Sequence, residues 1–214
     1  VHTDLKPENI MLRPDGSPVL MDFGIAQMID MPTLTATGTI LGSPAHMAPE
    51  VIDGSEVGAT ADVFSFGTVL YWAIAGKLPF TGPNPSALFR RILETDFDEL
   101  GLHSQTAGHQ LETLVSECLA KDPKQRPSAR HVSARLTQHL NQLELKDFGM
   151  LRRKLVVHRS DAEQNLVKTV ISTLIKHSEA SLAKGKVADA LDCLNRILGH
   201  VPNHGAAERL LAQV

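Results

Sequence analysis

The sequence predicts a mainly α-helical fold with one small β-hairpin, one long loop and a helical hairpin in its last third. Beyond residue 50, apolar residues recur at helical spacing between recognisable caps and stops. Before residue 22, two short apolar runs flank a turn-forming stretch. Between residues 22 and 50 no period is sustained. With 43% hydrophobic and 21% charged residues among 214, the chain has the composition of a globular protein with a buried core.

Charge and cysteine content narrow the function classes. The net charge of −3 gives no strong attraction to nucleic acid, so no nucleic-acid partner is expected. The longest apolar stretch, residues 63–75, is too short to cross a bilayer, so no membrane segment is expected in this chain. Two distant cysteines, Cys118 and Cys193, do not make a disulfide framework and fit a reducing compartment, which predicts a cytoplasmic protein.

The first elements are a loop, a hairpin and a second, longer loop. Residues 1–9 contain proline and asparagine breakers and are expected to form a loop. The runs Ile10–Leu12 and Val19–Met21 flank the sequence Arg-Pro-Asp-Gly-Ser, which predicts a β-hairpin. The stretch 22–50 is rich in threonine, glycine and proline, and loops of that length in a compact domain are usually functional.

Helix signals dominate the rest of the chain. Thr60 is expected to cap a helix that Gly76 ends after Ala75. Asn84 followed by proline is expected to open a helix that reaches Glu94. Further helices are expected over Gln110–Ala120 and after a cap at Ser128. Residues 143–160 are expected to be a connector, whose basic run at 151–154 is interpreted as solvated.

Three motifs occur in a fixed order in the first fifty residues. Residues 1–9 read Val-His-Thr-Asp-Leu-Lys-Pro-Glu-Asn, Asp22-Phe23-Gly24 follows the hairpin, and Ala48-Pro49-Glu50 ends the long loop. Any one tripeptide is weak evidence, but the ordered set resembles the C-terminal lobe of a protein kinase. The resemblance covers residues 1–142 and implies a kinase-like C-lobe in which the long loop is the activation segment.

The resemblance assigns chemistry to four residues. It implies that Asp4 accepts or orients the proton of a substrate hydroxyl, and that Lys6 offsets charge on the transferred phosphate of ATP. It also implies that Asn9 and Asp22 bind Mg²⁺, a hard cation that prefers oxygen ligands. Lys6, Asn9 and Asp22 are thus the expected ATP- and metal-binding residues.

Four other residues are expected to support this site. By resemblance, His2 and Asp62 are expected to hold the loop of residues 1–9. Glu50 and Arg126 are expected to form a buried ion pair between the end of the activation segment and the loop before Ser128.

The class of kinase follows from the same motifs. Lys6 in Asp-Leu-Lys-Pro-Glu-Asn resembles the serine/threonine kinases, and Gly42 to Glu50 is similar to the docking loop of the bacterial branch. There Ser43 is the expected substrate-docking residue, while His46 stands where tyrosine is commoner. Thr3 replaces the arginine that clamps a phosphothreonine in many kinases, which predicts regulation by other means. The candidate phosphosites are Thr33, Thr35, Thr37 and Thr39.

The tail carries a second resemblance. Gly185 at a turn, the apolar residues Ala190, Leu194 and Ile197, and Pro202 resemble a tetratricopeptide repeat over residues 171–204. Leu174, His177 and Ser181 depart from the usual residues of that repeat, so a generic αα-hairpin stays an alternative. The resemblance implies a protein partner bound by the tail.

Together these patterns predict a kinase C-lobe at 1–142, a linker at 143–160 and a helical tail at 161–214. The chain begins with Val1, inside the first of the three motifs, and the Gly-rich loop and strand lysine that precede this motif in kinases are not part of it. We therefore expect it to derive from a longer kinase and to be inactive alone. One rival is a pseudokinase or scaffold that works through the tail. A small-molecule phosphotransferase is disfavoured, because those enzymes lack a long segment ending in Ala-Pro-Glu.

Overall fold

The computed structural model describes residues 1–23, 44–102, 104–145 and 147–214. Within these residues the fold is mainly helical, with one two-stranded antiparallel sheet, as the sequence predicts. The strands are β1 (Ile10–Leu12) and β2 (Pro18–Leu20). The helices are α1 (Pro49–Asp53), α2 (Ala59–Ala75), α3 (Pro85–Glu94), α4 (His109–Cys118), α5 (Ala129–Gln142), α6 (Phe148–Val157), α7 (Arg159–Ala183), α8 (Val187–His200) and α9 (Gly205–Leu211). Among the described residues, no helix is long and apolar enough to cross a membrane.

The hairpin forms where the sequence predicts it, with β2 beginning one residue earlier than expected. Its turn is closed by the amide of Arg13, which donates to the carbonyl of Ser17 at 3.0 Å. Asp15 accepts from both the amide and the hydroxyl of Ser17, which is the usual role of an aspartate in a turn. Gly16 adopts a φ of 76°, a left-handed conformation that a glycine reaches without strain.

Most predicted helix ends are confirmed, but the helix expected over Gln110–Ala120 spans His109–Cys118, and one predicted cap is wrong. Asn84 caps α3 by accepting from the amide of Ala87 at 2.9 Å, and Ser128 accepts from the amide of His131 at the start of α5. Gly76 ends α2 with a φ of 70°. Thr60, however, is not the cap of α2. The helix begins at Ala59 after Gly58, so Thr60 already lies in its first turn.

The described chain divides into two compact units. The first consists of Val1–Met11, Pro18–Asp98 and Thr113–Ser133. Its core contains a set of aromatic rings, in which Phe80 stacks on Phe64 and meets Phe97 edge to face. Gly67 lets α2 approach residues 118–119 closely, because an added Cβ would lie 2.8 Å from the Cβ of Cys118.

The second unit consists of Leu12–Ser17, Glu99–Glu112 and Ala134–Val214. Its apolar core lies mainly between α7 and α8, with buried residues from both helices. These buried residues are Leu143, Val170, Ile171, Leu174, Leu194, Ile197 and Ala207. Gly185 makes the turn between the two helices with a φ of 69°, as the sequence predicts.

The expected connector at 143–160 is more ordered than the sequence suggested. It contains helix α6, whose cap Asp147 accepts from the amide of Met150, and α7 begins at Arg159. Sequence inspection missed α6 because its mixed basic and apolar residues give no strong apolar stripe. The basic residues 152–154 are exposed on α6, consistent with their interpretation as a solvated face.

Candidate active site

The backbone of residues 1–9, here called the aspartate loop, is held by a carboxylate from helix α2. Asp62 accepts hydrogen bonds from the amides of His2 at 2.7 Å and Thr3 at 2.8 Å. Thr3 has a φ of 64°, an unfavourable conformation for a β-branched residue. Such strain persists only where surrounding contacts enforce it, and the two bonds from Asp62 supply such contacts.

His2 links the aspartate loop to the residues that follow the hairpin. Its Nε2 donates to the carbonyl oxygen of Met21 at 2.9 Å, and its Nδ1 accepts from the amide of Asp4 at 3.3 Å. Because a carbonyl can only accept and an amide can only donate, the ring is neutral with its proton on Nε2. His2 is 4% exposed and lies against the ring of Phe23, with centroids 4.7 Å apart. Both ring nitrogens are therefore engaged in support.

Asp4 is fixed by two side chains on one of its oxygens. Oδ2 accepts from Nζ of Lys6 at 2.8 Å and from Nδ2 of Asn9 at 3.0 Å. The same amide nitrogen of Asn9 donates to the carbonyl oxygen of Asp4 at 2.8 Å. Oδ1 makes no hydrogen bond within the described residues, and the side chain is 20% exposed. One oxygen is thus anchored, while the other has no hydrogen-bond partner among the described residues.

Asn9 and Asp22 supply oxygen atoms that suit a hard cation. Both protons of the Asn9 amide point to Asp4, so its Oδ1 faces away from Asp4, and it makes no hydrogen bond to the described residues. The carboxylate of Asp22 is exposed and makes no hydrogen bond within the described residues. The backbone amide of Met21 donates to the carbonyl of Asn9 at 2.9 Å, which brings the two segments together. This donor set, an amide oxygen and a free carboxylate, fits Mg²⁺.

Glu50 and Arg126 form the buried ion pair that the sequence predicts. Nη1 and Nη2 of Arg126 donate to the two carboxylate oxygens of Glu50 at 2.6 and 2.8 Å. Arg126 and Glu50 have side chains that are 0% and 4% exposed. The pair joins the end of the Ala-Pro-Glu motif to the loop before α5, with both charges shielded from water.

Residues just before α1 contact helix α2 through His46. Its Nδ1 lies 2.6 Å from Oγ1 of Thr68, and its carbonyl accepts from the hydroxyl of Ser65 at 2.7 Å. Gly24, Ser43 and the four candidate phosphosites at Thr33, Thr35, Thr37 and Thr39 lie outside the described residues.

Sequence inspection missed Thr68 and the backbone strain at Thr3 and Asp22. Ser65 and Thr68 are two hydroxyl residues one turn apart in the apolar stretch 63–75, and that pattern could have drawn attention to them. The positive φ angles of Thr3 and Asp22, 64° and 52°, were not predicted, because threonine rarely adopts them and aspartate adopts them only occasionally.

Comparison with known proteins places this geometry in a family. The model of the protein kinase domain matches residues 1–140. The chain belongs to the protein kinase family. The matched region includes the aspartate loop, Asp22, and both members of the ion pair between Glu50 and Arg126.

The relatives are bacterial serine/threonine kinases. Serine/threonine-protein kinase PkaB of Streptomyces coelicolor is 39% identical over 173 residues, which cover 77% of this chain and 39% of PkaB. Serine/threonine-protein kinase PknL of Mycobacterium tuberculosis is 32% identical over 164 residues, 76% of this chain and 41% of PknL. Probable serine/threonine-protein kinase PkwA of Thermomonospora curvata is 38% identical over 139 residues, 64% of this chain and 18% of PkwA. The chain spans less than half the length of each of these relatives.

Proposed function

We propose that residues 1–142 are the C-terminal lobe of a serine/threonine protein kinase that transfers the γ-phosphoryl group of ATP to hydroxyl groups of proteins. The observation that carries this proposal is the hydrogen bonding of Asp4. Its Oδ2 accepts from Lys6 and Asn9, while its Oδ1 has no hydrogen-bond partner among the described residues. A general base must be held in place and still reach the proton it accepts.

The proposed reaction uses Asp4 as that base. The oxygen of a serine or threonine hydroxyl bonds to the γ-phosphorus of ATP while the bond to the bridging oxygen breaks and ADP leaves. The hydroxyl proton passes to Oδ1 of Asp4. Asp4 holds the hydroxyl oxygen in line with the bond that breaks. Such positioning supplies much of the rate enhancement, because this transition state needs little covalent help from the protein.

Lys6 and the two oxygen donors are assigned to the phosphates. Kinases of this family generally use ATP with Mg²⁺, which neutralises phosphate charge when bound. Asn9 and Asp22 would hold the metal through the oxygen atoms that their hydrogen bonds leave available. Lys6, whose side chain is 14% exposed, places its ammonium beside Asp4, where it can offset charge on the transferred group.

An activity test separates Asp22 from a neighbouring acidic residue. In a form that also carries a nucleotide-binding N-terminal lobe, Asp22→Asn should reduce kcat by at least about 100-fold, since a preorganised charge at the phosphates is lost. Asp15→Asn is the matched control, because Asp15 is an exposed turn residue of the hairpin that precedes Asp22, and among the described residues it accepts hydrogen bonds from Ser17 alone. Equal activity of the Asp22→Asn protein and its parent would overturn the site assignment.

A binding test addresses the isolated chain. Residues 1–214 contain no Gly-rich loop or strand lysine of the kind that covers ATP in this family. We therefore expect calorimetry with Mg-ATP to detect only weak binding. Micromolar affinity of the isolated chain would show that these residues hold the nucleotide without a second lobe.

The pseudokinase or scaffold alternative makes the opposite prediction. It predicts that an N-terminal lobe restores no phosphoryl transfer, and that Asp22→Asn changes nothing measurable. The proposal is favoured over it because Asp4, Asn9 and Asp22 keep the groups that the reaction requires.

The finer assignments are proposals of the same kind. We assign substrate docking to Ser43, and phosphorylation to Thr33, Thr35, Thr37 and Thr39. We also propose sequence modules at 1–142, 143–160 and 161–214, the last a repeat-like tail that binds a protein partner. The antiparallel pair α7 and α8, joined at Gly185 and followed by the short helix α9, supports this reading of the tail.

A further inference from the structure

His46 has an environment that suits a buried, uncharged ring. It ends a short 3-10 turn, Pro44–His46, and is only 7% exposed. It is attached to α2 at two points, through Nδ1 to Thr68 at 2.6 Å and through its carbonyl to Ser65 at 2.7 Å. The side-chain contact fixes the orientation of the ring, because a buried polar atom needs its partner.

The partner also determines where the ring carries its proton. The hydroxyl of Thr68 has one hydrogen, and its oxygen donates to the carbonyl of Ser65 at 2.7 Å. A carbonyl oxygen cannot donate, so the oxygen of Thr68 has only a lone pair to offer to His46. The hydrogen between the two side chains therefore belongs to Nδ1 of His46. A neutral His46 then carries an unprotonated Nε2, the reverse of His2.

Among the described residues, the charged groups that act on His46 come from the aspartate loop. Glu8 and Asp4 favour a charged ring and Lys6 opposes it, but burial is the largest effect and lowers the pKa of His46 below its usual value of 6.5. From α2, the contacting side chains are the uncharged Ser65 and Thr68. Helix α3 also packs against the turn, burying Leu88 and Ile92, while its charged residues Arg90, Arg91 and Glu94 are exposed.

We propose that His46 is a positioning residue for phosphoryl transfer, which holds residues 44–47 on α2 as a buried ring that donates from Nδ1 to Thr68. The inference rests on the proposed kinase function. It goes beyond that function because it assigns a protonation state to His46, which lies close in sequence to the proposed docking residue Ser43. Gain of a second proton places a cation in a buried pocket close to Lys6, the residue that anchors Asp4. The bonds to Thr68 and Ser65 do not need Nε2, so what destabilises the segment before α1 is the burial of this charge, and activity falls as the pH is lowered below the usual histidine range.

The ring itself can be tested on the 214-residue chain. In ¹⁵N-histidine-labelled protein, the signals of His46 are assigned by their loss in His46→Asn. At pH 7 we expect the Nδ1-protonated tautomer for His46 and the Nε2-protonated tautomer for His2. Thr68→Val should abolish the preference at His46, whereas Thr169→Val, which removes an exposed helix hydroxyl, should not. An Nε2-protonated or charged His46 at pH 7 would overturn the inference.

The positioning role is tested by a pH profile in the active form with an N-terminal lobe. We expect kcat/KM of the parent to fall on the acid side of pH 6.5, because burial lowers the pKa of His46 and the ring gains its second proton only there. His46→Asn keeps a donor near the Nδ1 position and cannot titrate in this range, so its profile should be flatter. His46→Leu, which has no donor, should lower kcat/KM at every pH.

An identical acid limb in the parent and His46→Asn would overturn the role of His46. A complete lack of activity at every pH would instead refute the proposed kinase function, and the positioning role with it, even where the tautomer is as expected.

Discussion

Arg126 and Arg196 are both buried arginines, one in each compact unit, and their guanidinium groups are satisfied in different ways. The five N–H groups of Arg126 all have acceptors within 3.0 Å. Two go to the carboxylate of Glu50, and three go to backbone carbonyls of residues 60, 120 and 121. The guanidinium also lies over the ring of Phe64, 4.9 Å from its centroid.

Arg196, on helix α8, has longer contacts and, within the part of the chain that the structure describes, no hydrogen bond to a carboxylate. Its Nε donates to the carbonyl of Thr106 at 3.3 Å, and its Nη2 lies 3.4 Å from Nε2 of His139. The carboxylate of Asp192, one turn earlier on α8, accepts from the amide of His109 at 3.0 Å. Burial is the main cause that lowers the pKa of Arg196, and Asp192 only partly offsets it.

The difference concerns how a charge is compensated inside a protein. A buried arginine with a full set of short bonds to a carboxylate and carbonyls links distant segments firmly. Removing one partner of the ion pair is strongly destabilising, because the other is left as a buried, unpaired charge. A buried arginine that donates to a neutral histidine loses that bond when the histidine gains a proton, so Arg196 then keeps its bond to the carbonyl of Thr106 alone among the described residues. Arg126 is thus a fixed anchor, and Arg196 is a contact that depends on pH.

The largest expected effect is removal of the anchor. Arg126→Ala should lower the free energy of unfolding of the first unit by roughly 3–5 kcal/mol, because Glu50 is left as a buried, unpaired charge. Chemical denaturation followed by tryptophan fluorescence would measure it, since Trp72 lies on α2 in this unit.

The double replacement Glu50→Leu with Arg126→Met controls for lost packing. Removing both charges together should recover much of the stability, because neither is then buried alone. If Arg126→Ala costs less than about 1 kcal/mol, the pair behaves like an exposed one and the comparison fails.

Arg196→Met is expected to have a smaller effect. It removes two long hydrogen bonds and keeps most of the apolar stem, so we expect a loss of about 1–2 kcal/mol in the second unit. Hydrogen exchange of the amides of α7 and α8 would report this loss locally. A cost as large as that of Arg126→Ala would mean that Arg196 has a stronger partner than the distances indicate.

His139 gives the same contact a pH dependence. Burial, and then the charge of Arg196, lower the pKa of His139 from 6.5 to about 4. Because the folded pKa lies below the unfolded one, the folded state resists protonation, and stability is lost as the pH falls from 6.5 toward 4. Between pH 6.5 and about 5.5 we expect a loss below about 1 kcal/mol, with nearby polar groups screening part of it. In His139→Gln this acid-dependent loss should be smaller, as thermal unfolding at several pH values would show.

The two arginines also differ in how far the sequence could predict them. The pair of Glu50 and Arg126 follows from two motifs whose order and spacing resemble a known family, so both partners could be named in advance. Asn84, Gly76 and Ser128 were predictable for a local reason, since caps and stops act on their own backbone neighbours.

No local rule connects Arg196 with Thr106 or His139, because the contacts join residues 90 and 57 positions apart. The same limit applies to His46, which stood out as a departure from the family pattern but whose partner Thr68 could not be found. Helix α6 was missed for another reason, since a short helix is stabilised by packing more than by propensity.

The smallest effect is expected at Asp192, which replaces a local cap for helix α4. Its carboxylate accepts from the amide of His109, the first residue of α4, from 83 positions away. Asp192→Asn keeps an oxygen acceptor and removes only the negative charge, so it should cost about 0.5 kcal/mol or less, the size of a charge effect at a helix N-terminus. Asp192→Ala removes the acceptor as well and should cost about 1 kcal/mol, as the loss of a capping side chain usually does.

Thermal unfolding of the three proteins at low and high salt separates the two contributions, because only the charge effect is screened. Equal costs for the two variants would show that charge, and not the hydrogen bond to His109, is what Asp192 contributes.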